Sequence, residues 1–492
     1  MPVPRCRANA LSRWVPWLAA LLCACTAGPD YVRPALDVPL AYKEPGPWKP
    51  AQPRPADSAQ PWWEVFQDPD LNILMRDAQA ANQNIRLAEA QYRQAQALAD
   101  AARSGLSPTV GVSAGALRAR TNSTGLKLGD GYSVAAAASW APDLWGSVRR
   151  AIEAGDAGVQ ASADDLAGAQ LSIQATLAQD YMALRFIDQQ RELYAATIEG
   201  YARALKLTQA QRAAGVALLS DVALAESQLT STQAQAVDLE AQRALLEHAI
   251  AVLTGRTPAT FSLAAASPSQ PFVAVLPASP TGLPSELLER RPDIAGAERR
   301  AAAANANIGI ARAAYFPSLV LSASGGYSAA GIASLVDTPS RVWSLGAVLA
   351  ETLFDGGLRQ ARDAQATAAF DATVAQYKQT VLNGFEQVED NLATLRVLDQ
   401  EAQLQAQAVK AAQTAERLAL SQYRAGTTTY LSVITAQTLL LGNQRTLVQL
   451  RGRQFAASVG LIAATGGGWT THRAAPPVAS NPAPLLTIAS PS

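Results

Sequence analysis

Two long stretches without proline set what this chain can fold into. Prolines crowd roughly the first seventy positions, the segment Pro258 to Pro292 and the tail after Pro476, yet none lies between Pro142 and Pro258 or between Pro339 and Pro476. Proline inside a helix costs about 3 kcal/mol, so runs free of it are where very long helices can form. In the first run Ile152, Val159, Leu166 and Ile173 recur every seven residues, and the series then shifts by four to Leu177 and Leu184. In the second, Val374, Val381, Val388 and Leu395 keep the same seven-residue step. Heptads sustained this long predict coiled-coil-like helices. The shift by four is a stutter, which unwinds the supercoil locally and suits nearly straight rods.

Each run is interrupted once by glycine. "QRAAGVALLSDVALAE" breaks the first at Gly215 and "QYRAGTTTYLSVITAQ" breaks the second at Gly426, both where a helix end needs the left-handed conformation. Each run therefore reads as a helical hairpin. A helix from Gly146 to Arg212 at 1.5 Å per residue is roughly 100 Å long, more than a globular domain needs.

Upstream of each hairpin the period changes to two. Val110, Val112 and Ala114, then Val134, Ala136, Ala138 and Trp140, alternate in the first half; Leu319, Leu321 and Ala323, then Trp343, Leu345, Ala347 and Leu349, alternate in the second. These are four strands of about ten residues, the length a tilted membrane-spanning strand requires. The two halves align at a spacing near 210 residues: "DLWGSVRRA" with "LFDGGLRQA", pairing Gly146 with Gly356 and Arg149 with Arg359; "AAGVALLSDV" with "RAGTTTYLSV"; "LSPTVGVSAG" with "YFPSLVLSAS". The chain reads as an internal two-fold repeat of helix, strand, strand, long helix, turn, long helix. Four strands cannot close a membrane barrel, whose minimum is about eight, so the sheet edges require partner subunits.

The N-terminus carries a targeting signal. Arg5, Arg7 and Arg13 precede the short apolar segment Trp14 to Cys25, and "LCAC" resembles a bacterial lipobox. By that resemblance residues 1–24 are a signal peptide and Cys25 becomes the lipidated first residue, followed by Thr26. Cys6 and Cys23 leave with the signal, which removes disulfides, a cysteine metal site and a cysteine nucleophile. No later apolar run is long enough for a membrane helix, so any crossing must be a closed β-barrel. Balanced charge without a basic stripe argues against nucleic acid.

The run "RRPDI" to "FPSLVLSASGG" (within Leu283 to Gly326), the early "PWWEVFQDPDLNILMRDAQAANQNIRLAEAQYRQA" and "CTAGPDYVRP" resemble the TolC-like outer-membrane efflux channels, in particular their OprM-like lipoprotein branch. The resemblance spans the mature chain to about Gly468. It implies a mostly α fold with a transmembrane β-barrel: a homotrimer whose four strands per subunit close one twelve-stranded barrel, continued by a periplasmic helical tunnel. It also implies an RND-type inner-membrane pump and a periplasmic adaptor as partners, and a lipid-anchored place in the outer membrane reaching into the periplasm. The gate would lie at the hairpin tips, where Asp221 and Tyr423 match gate residues of the family. Thr428 stands where an arginine can occur, and Ser432 and Thr435 where ring aspartates occur. These departures count against an ionic aperture, leaving Arg424 as an alternative partner. Asp221 is equally placed to cap the helix after Gly215. Adaptor contact would use the tips, Gly215, Val216, Ala217, Leu218 and Leu219 on one hairpin and Gly426, Thr427, Thr429, Tyr430 and Leu431 on the other.

Local physics accounts for several motif residues. Asp68 before Pro69, and Ser285 before "ELLER", are set as helix caps; Pro292 with Asp293 opens a helix, and Pro317 enters a strand. Nothing marks an enzyme: there is no nucleotide-binding, hydrolase or zinc motif, and only His248 and His472 carry imidazole. No cofactor beyond the lipid and no metal are expected. Asp164 and Asp165 read as a solvated or tunnel-facing polar face. The chain divides into a signal (1–24), an anchored extended segment (25–60), a first repeat (61–257), a linker (258–282), a second repeat (283–468) and a Pro/Ala/Ser tail (469–492). A passive conduit for small molecules fits best. The alternative is a periplasmic coiled-coil lipoprotein acting as adaptor or spacer.

Overall fold

The computed structural model describes residues 26–36, 38–39, 41–44, 61–120, 128–265 and 290–467. The signal peptide, Cys25, Ser285, His472 and the tail lie outside them. The elements in order are α1 (Pro69–Ala81), α2 (Gln83–Ser104), β1 (Thr109–Arg120), β2 (Leu128–Trp140), α3 (Ser147–Ala213), α4 (Leu219–Leu253), α5 (Pro292–Ala313), β3 (Ser318–Ala329), β4 (Arg341–Ala350), α6 (Leu358–Arg424) and α7 (Tyr430–Ala464). The molecule is mostly helical with one antiparallel four-stranded sheet.

Helices α3 and α6 run 67 residues each, roughly 100 Å at 1.5 Å per residue. Both end as their glycines require. Gly215 at φ 78° lets the Val216 amide reach the Gln211 carbonyl at 2.8 Å, and Gly426 at φ 74° lets Thr427 reach Gln422 at 3.0 Å. Each is a Schellman turn, which satisfies end carbonyls and folds the next helix back. Of the heptad positions, Leu177, Leu184 and Val388 are fully buried and Val381 nearly so, while Ile152, Val159, Leu166, Ile173, Val374 and Leu395 are half-buried.

Two starts differ from expectation. The first repeat opens with two helices rather than one, because Asn82 leaves the helical conformation and caps α2, its Oδ1 accepting the amides of Asn84 and Ile85 at 2.9 and 3.2 Å. Its Nδ2 donates to the Leu253 carbonyl at 2.8 Å, which ties the break to the end of α4. In the second repeat Gly357, not Gly356, is the N-cap of the long helix, the counterpart of Gly146. Gly356 also has positive φ, so the "DGG" turn shifts the start by one residue. Asp68 caps α1 as expected, with Oδ1 accepting from Asp70 and Leu71, and Pro292 opens α5.

The largest core lies midway along the rods, where Trp63, Phe66, Leu71, Met75, Tyr181 and Phe455 meet. Here α1 and the preceding short helix form a collar on α3 and α7.

The aspartate pair on α3, read as a solvated or tunnel-facing polar face, keeps Asp165 exposed and also meets α5. Asp165 takes both oxygens to Arg300 Nη1 at 2.9 and 2.8 Å, and Asp164 is half-buried against Gly296 of α5. Burial, then the Asp165 charge, push the Asp164 carboxyl up to about 6, against the pull of Arg299 and Arg300 and with Glu298 adding to the rise. The native state thus holds this proton more tightly than the unfolded chain. Its contribution to stability is full below the ordinary carboxylate value and is lost as pH rises through about 6. Asp164→Asn is expected to unfold at a higher temperature than the wild type at about pH 7.5 and at the same temperature near pH 4, read by thermal scans at fixed rate.

Candidate functional site at the sheet and the hairpin tips

The strand order is β1-β2-β3-β4, all antiparallel. Directly paired residues share a face. Val110 pairs with Ala138, Trp140 with Leu321, and Ala323 with Leu345, so every alternating apolar position falls on a single face across all four strands. The other face is mostly small or hydroxyl-bearing, with Ser113, Ser139, Ser322, Ser324 and Ser344 among its residues, and also carries Leu117, Val320, Val342 and Val348. There Ser324 and Ser344 hydroxyls meet at 2.8 Å. The apolar face is bare in the subunit: Val110 is 71% exposed, Trp343 73% and Leu345 75%. The edge strands, β1 and β4, have no partner on their outer sides among the described residues. No helix of the described residues is long and apolar enough to cross a membrane.

At the opposite end the hairpins meet. Asp221 Oδ2 accepts the Leu218 amide at 3.2 Å, which makes Asp221 a cap of α4. Tyr423 packs on Tyr430 with ring centroids 5.1 Å apart, over Ala225 and Val433. Burial, then the neighbouring Tyr423, push the Tyr430 phenol up to about 12. The Tyr423 hydroxyl is buried without a hydrogen-bond partner. Thr428 donates to Ser432 Oγ at 3.1 Å, and Thr435 donates to the Leu431 carbonyl at 2.9 Å. The polar tip residues are thus spent on their own turn and helix. Among the described residues no ion pair joins the two hairpins; Arg424 instead lines a groove of about 550 Å³ with Tyr201, Glu416 and Gln437. Direct polar links between the hairpins are Gln228 Nε2 to Thr438 Oγ1 at 3.2 Å, a pair that no motif marks in the sequence, and a side-chain hydrogen bond between Tyr430 and Thr208.

Of the tip positions, Val216, Leu218, Leu219 and Leu431 stand 59 to 74% exposed, whereas Tyr430 turns inward at 2%. Tyr430 is therefore a packing residue and offers no side chain to a partner. His248 is exposed on α4, and the described residues hold no group of metal-ligating side chains.

A sheet with one apolar face and open edges, carried on helices roughly 100 Å long, defines the class of elongated membrane-channel subunits. The comparisons give the particular family. The profile described as outer membrane efflux protein matches residues 74–256 and 283–467. The chain belongs to this family. It is 33% identical over 429 residues to the pyoverdine export outer membrane protein OpmQ of Pseudomonas aeruginosa, covering 85% of this chain and 89% of that one. It is 29% identical to the toluene efflux pump outer membrane protein TtgF of Pseudomonas putida, covering 94% and 98%. Among solved structures, the outer-membrane channel OprN superposes with a TM-score of 0.81 at 30% identity, covering 90% of this chain and 100% of that one. The open-state MtrE channel of Neisseria gonorrhoeae gives 0.79 at 27% identity, covering 90% and 98%. The protein is an outer-membrane efflux channel component and not an enzyme. Channels of this family form trimers and work with a periplasmic adaptor and an inner-membrane pump. The spacer alternative gives way, since it has no use for the sheet.

Proposed function

We propose that three copies close a twelve-stranded barrel in the outer membrane, continued by a tunnel of their helical hairpins, through which small molecules leave passively. The observation that carries this is the sheet itself, with its alternating apolar positions on one face, a serine-rich and mostly small other face, and two open edges. Because the strand number is even, β1 and β4 run in opposite directions, so three-fold rotation brings them together as an antiparallel pair. Keeping residue parity across that seam leaves the apolar face toward lipid and the serine face toward the lumen. Matched element lengths support the two-fold repeat: α2 and α5 have 22 residues, β1 and β3 12, α3 and α6 67, α4 and α7 35. Residues 61–257 and 283–468 are the two repeats on this reading. Detergent-extracted particles should have three times the mature chain's mass by light scattering; a monomer sinks the reading.

Cys25 would carry the lipid, and the tips would form both gate and adaptor contact. The bare Val216, Leu218, Leu219 and Leu431 suit an apolar-lined adaptor groove. With no ionic lock between hairpins, closure at the tip rests on packing of Tyr423 and Tyr430, with Asp221, Thr428, Ser432 and Thr435 as local polar bracing. The relatives' names span pyoverdine export and toluene efflux, which supports a small-molecule conduit whose cargo is selected elsewhere in the complex.

Substitutions at Tyr423 test the packing gate. Tyr423→Ala removes a buried ring, a loss of about 3–5 kcal/mol, and should raise the open fraction in planar-bilayer conductance. Tyr423→Phe removes only an unpartnered hydroxyl and should leave the channel as closed as the wild type. Equal conductance for all three would refute a gate at this ring.

A further inference from the structure

The charges of the sheet stand on the face where they are least expected. The described strands carry four charged side chains, Arg118 and Arg120 on β1, Asp130 on β2 and Arg341 on β4. Through the strand pairings all four share parity with Val110, Tyr132, Tyr327 and Trp343, so they lie on the apolar face, and the serine-bearing face of these strands carries none. An arginine facing lipid costs about 2–4 kcal/mol at mid-bilayer and about 0–1 kcal/mol near the interface. Their place along the strands fits the second case. All four lie at the end remote from the helices, where Asp130 follows outward from Tyr132 and Arg341 from Trp343. An aromatic residue succeeded by a charge marks the depth at which lipid tails give way to headgroups.

The two strand hairpins differ in charge at this depth. Arg118 stands directly opposite Asp130, with Nε 3.4 Å from Oδ1, so the first hairpin offsets its own cation. Thr109 with Ser139 and Ser318 with Ala350 are the first pairs of the two hairpins; counted from them in equal steps, Arg118 and Asp130 have Tyr327 and Arg341 as counterparts. The acid of the first hairpin is thus an arginine in the second. Arg341 is exposed and has no acidic partner among the described residues. It lies on one open edge of the sheet, and Arg120 lies at the end of the other. Closing three copies joins those edges. The join corresponds to the β2–β3 pairing, in which Tyr132 opposes Ala329; by the same count Trp343 opposes Arg120 of the next copy. Arg341, two residues from Trp343 on the same face, is then the diagonal neighbour of that Arg120, about 7–8 Å away and within reach of two long side chains.

We propose that each seam between copies binds the phosphate of an outer-leaflet lipid headgroup. Arg341 of one copy and Arg120 of the next hold its oxygens, and the Trp343 ring supports the first methylenes of the lipid. The proposal rests on the trimeric barrel with its apolar face toward lipid. Two arginines suit the task because each guanidinium presents paired N–H donors to phosphate oxygens. A phosphate held between them also offsets the like charges that closure brings together, so the lipid braces the joint. The site needs two copies, which accounts for Arg341 lacking an acid within its own subunit.

The test is native mass spectrometry of the detergent-extracted full chain after titration with diphosphoryl lipid A, with the same lipid stripped of its phosphates as control. Wild type should appear as a trimer that retains the phosphorylated lipid and releases the stripped one. Arg341→Gln and Arg120→Gln should each stay trimeric and weaken retention at least about fivefold, the scale of a lost charge-assisted hydrogen bond. Asp130→Asn should strengthen retention, since it removes the acid at this depth. Trimers that hold both lipids equally, that ignore both arginine variants, or that bind less after Asp130→Asn overturn the seam site and leave the barrel standing. Displacement of lipid A by an equimolar amount of inorganic phosphate overturns the lipid assignment in favour of the soluble ion. Monomers throughout overturn the barrel reading and the proposal together.

Discussion

Asp188→Ala is expected to destabilise the folded protein by about 3 kcal/mol, the lower end of the range for breaking a buried ion pair. The carboxylate is 4% exposed on α3 and accepts from Arg243 Nε at 2.8 Å, with Arg185 Nη1 at 3.6 Å and Arg191 Nη1 at 3.8 Å. Removing it leaves two guanidinium groups buried together in the middle of the rods. The lower end applies because each keeps another acceptor: Arg185 holds Asp70 at 2.8 Å and the Ala264 carbonyl at 2.8 Å, and Arg243 holds Glu247 at 3.0 Å and the Leu263 carbonyl at 2.6 Å. Asp70→Ala provides the contrast. Its side chain is 57% exposed, so screening by water limits the loss to about 1 kcal/mol or less. Unfolding temperatures of the detergent-extracted protein at fixed scan rate should fall well below wild type for Asp188→Ala and only slightly for Asp70→Ala. Equal small shifts would place the stability of this belt in its apolar packing instead.

The second large effect lies in the sheet. Leu345→Arg on β4 should abolish assembly in the outer membrane, because a cation on the lipid face near mid-bilayer costs about 2–4 kcal/mol and recurs in every copy. Ser344→Arg, one residue earlier and on the opposite face, should still give trimers, since the lumen solvates the charge. The readouts are heat-resistant trimer on gels of outer-membrane fractions and survival of an efflux-deficient strain carrying each variant. Loss of trimer in both variants, or in neither, would refute the assignment of faces.

Much of this architecture was legible because its signals are local. Gly215 and Gly426 had to stand at helix ends, since only glycine takes the left-handed turn there without strain. The strands were legible despite alanine-rich, low-contrast sequence, because their alternation kept one parity on one face through three successive pairings. Asn82 was missed because "ANQNIR" keeps helical spacing on both sides, and only its bond to the Leu253 carbonyl fixes the break. The one-residue shift from Gly356 to Gly357 was hidden because two adjacent glycines satisfy the same local demand.

The site divides the same way. Asp221 was recognisable as a cap from its place three residues into α4, whereas the burial of Tyr430 depends on Tyr423 across the turn and on α3 beyond it. By itself the sequence determined the rods, their turns and the strand parity, because each is set by neighbours within a helical turn or a strand step. Tertiary structure alone decided that Asp165 pairs with Arg300, that Asp188 serves Arg243, and that Arg150 and Gly309 receive residues 27–30. Those partners lie 55 residues or more apart along the chain, and only the packed helices bring them within bonding distance.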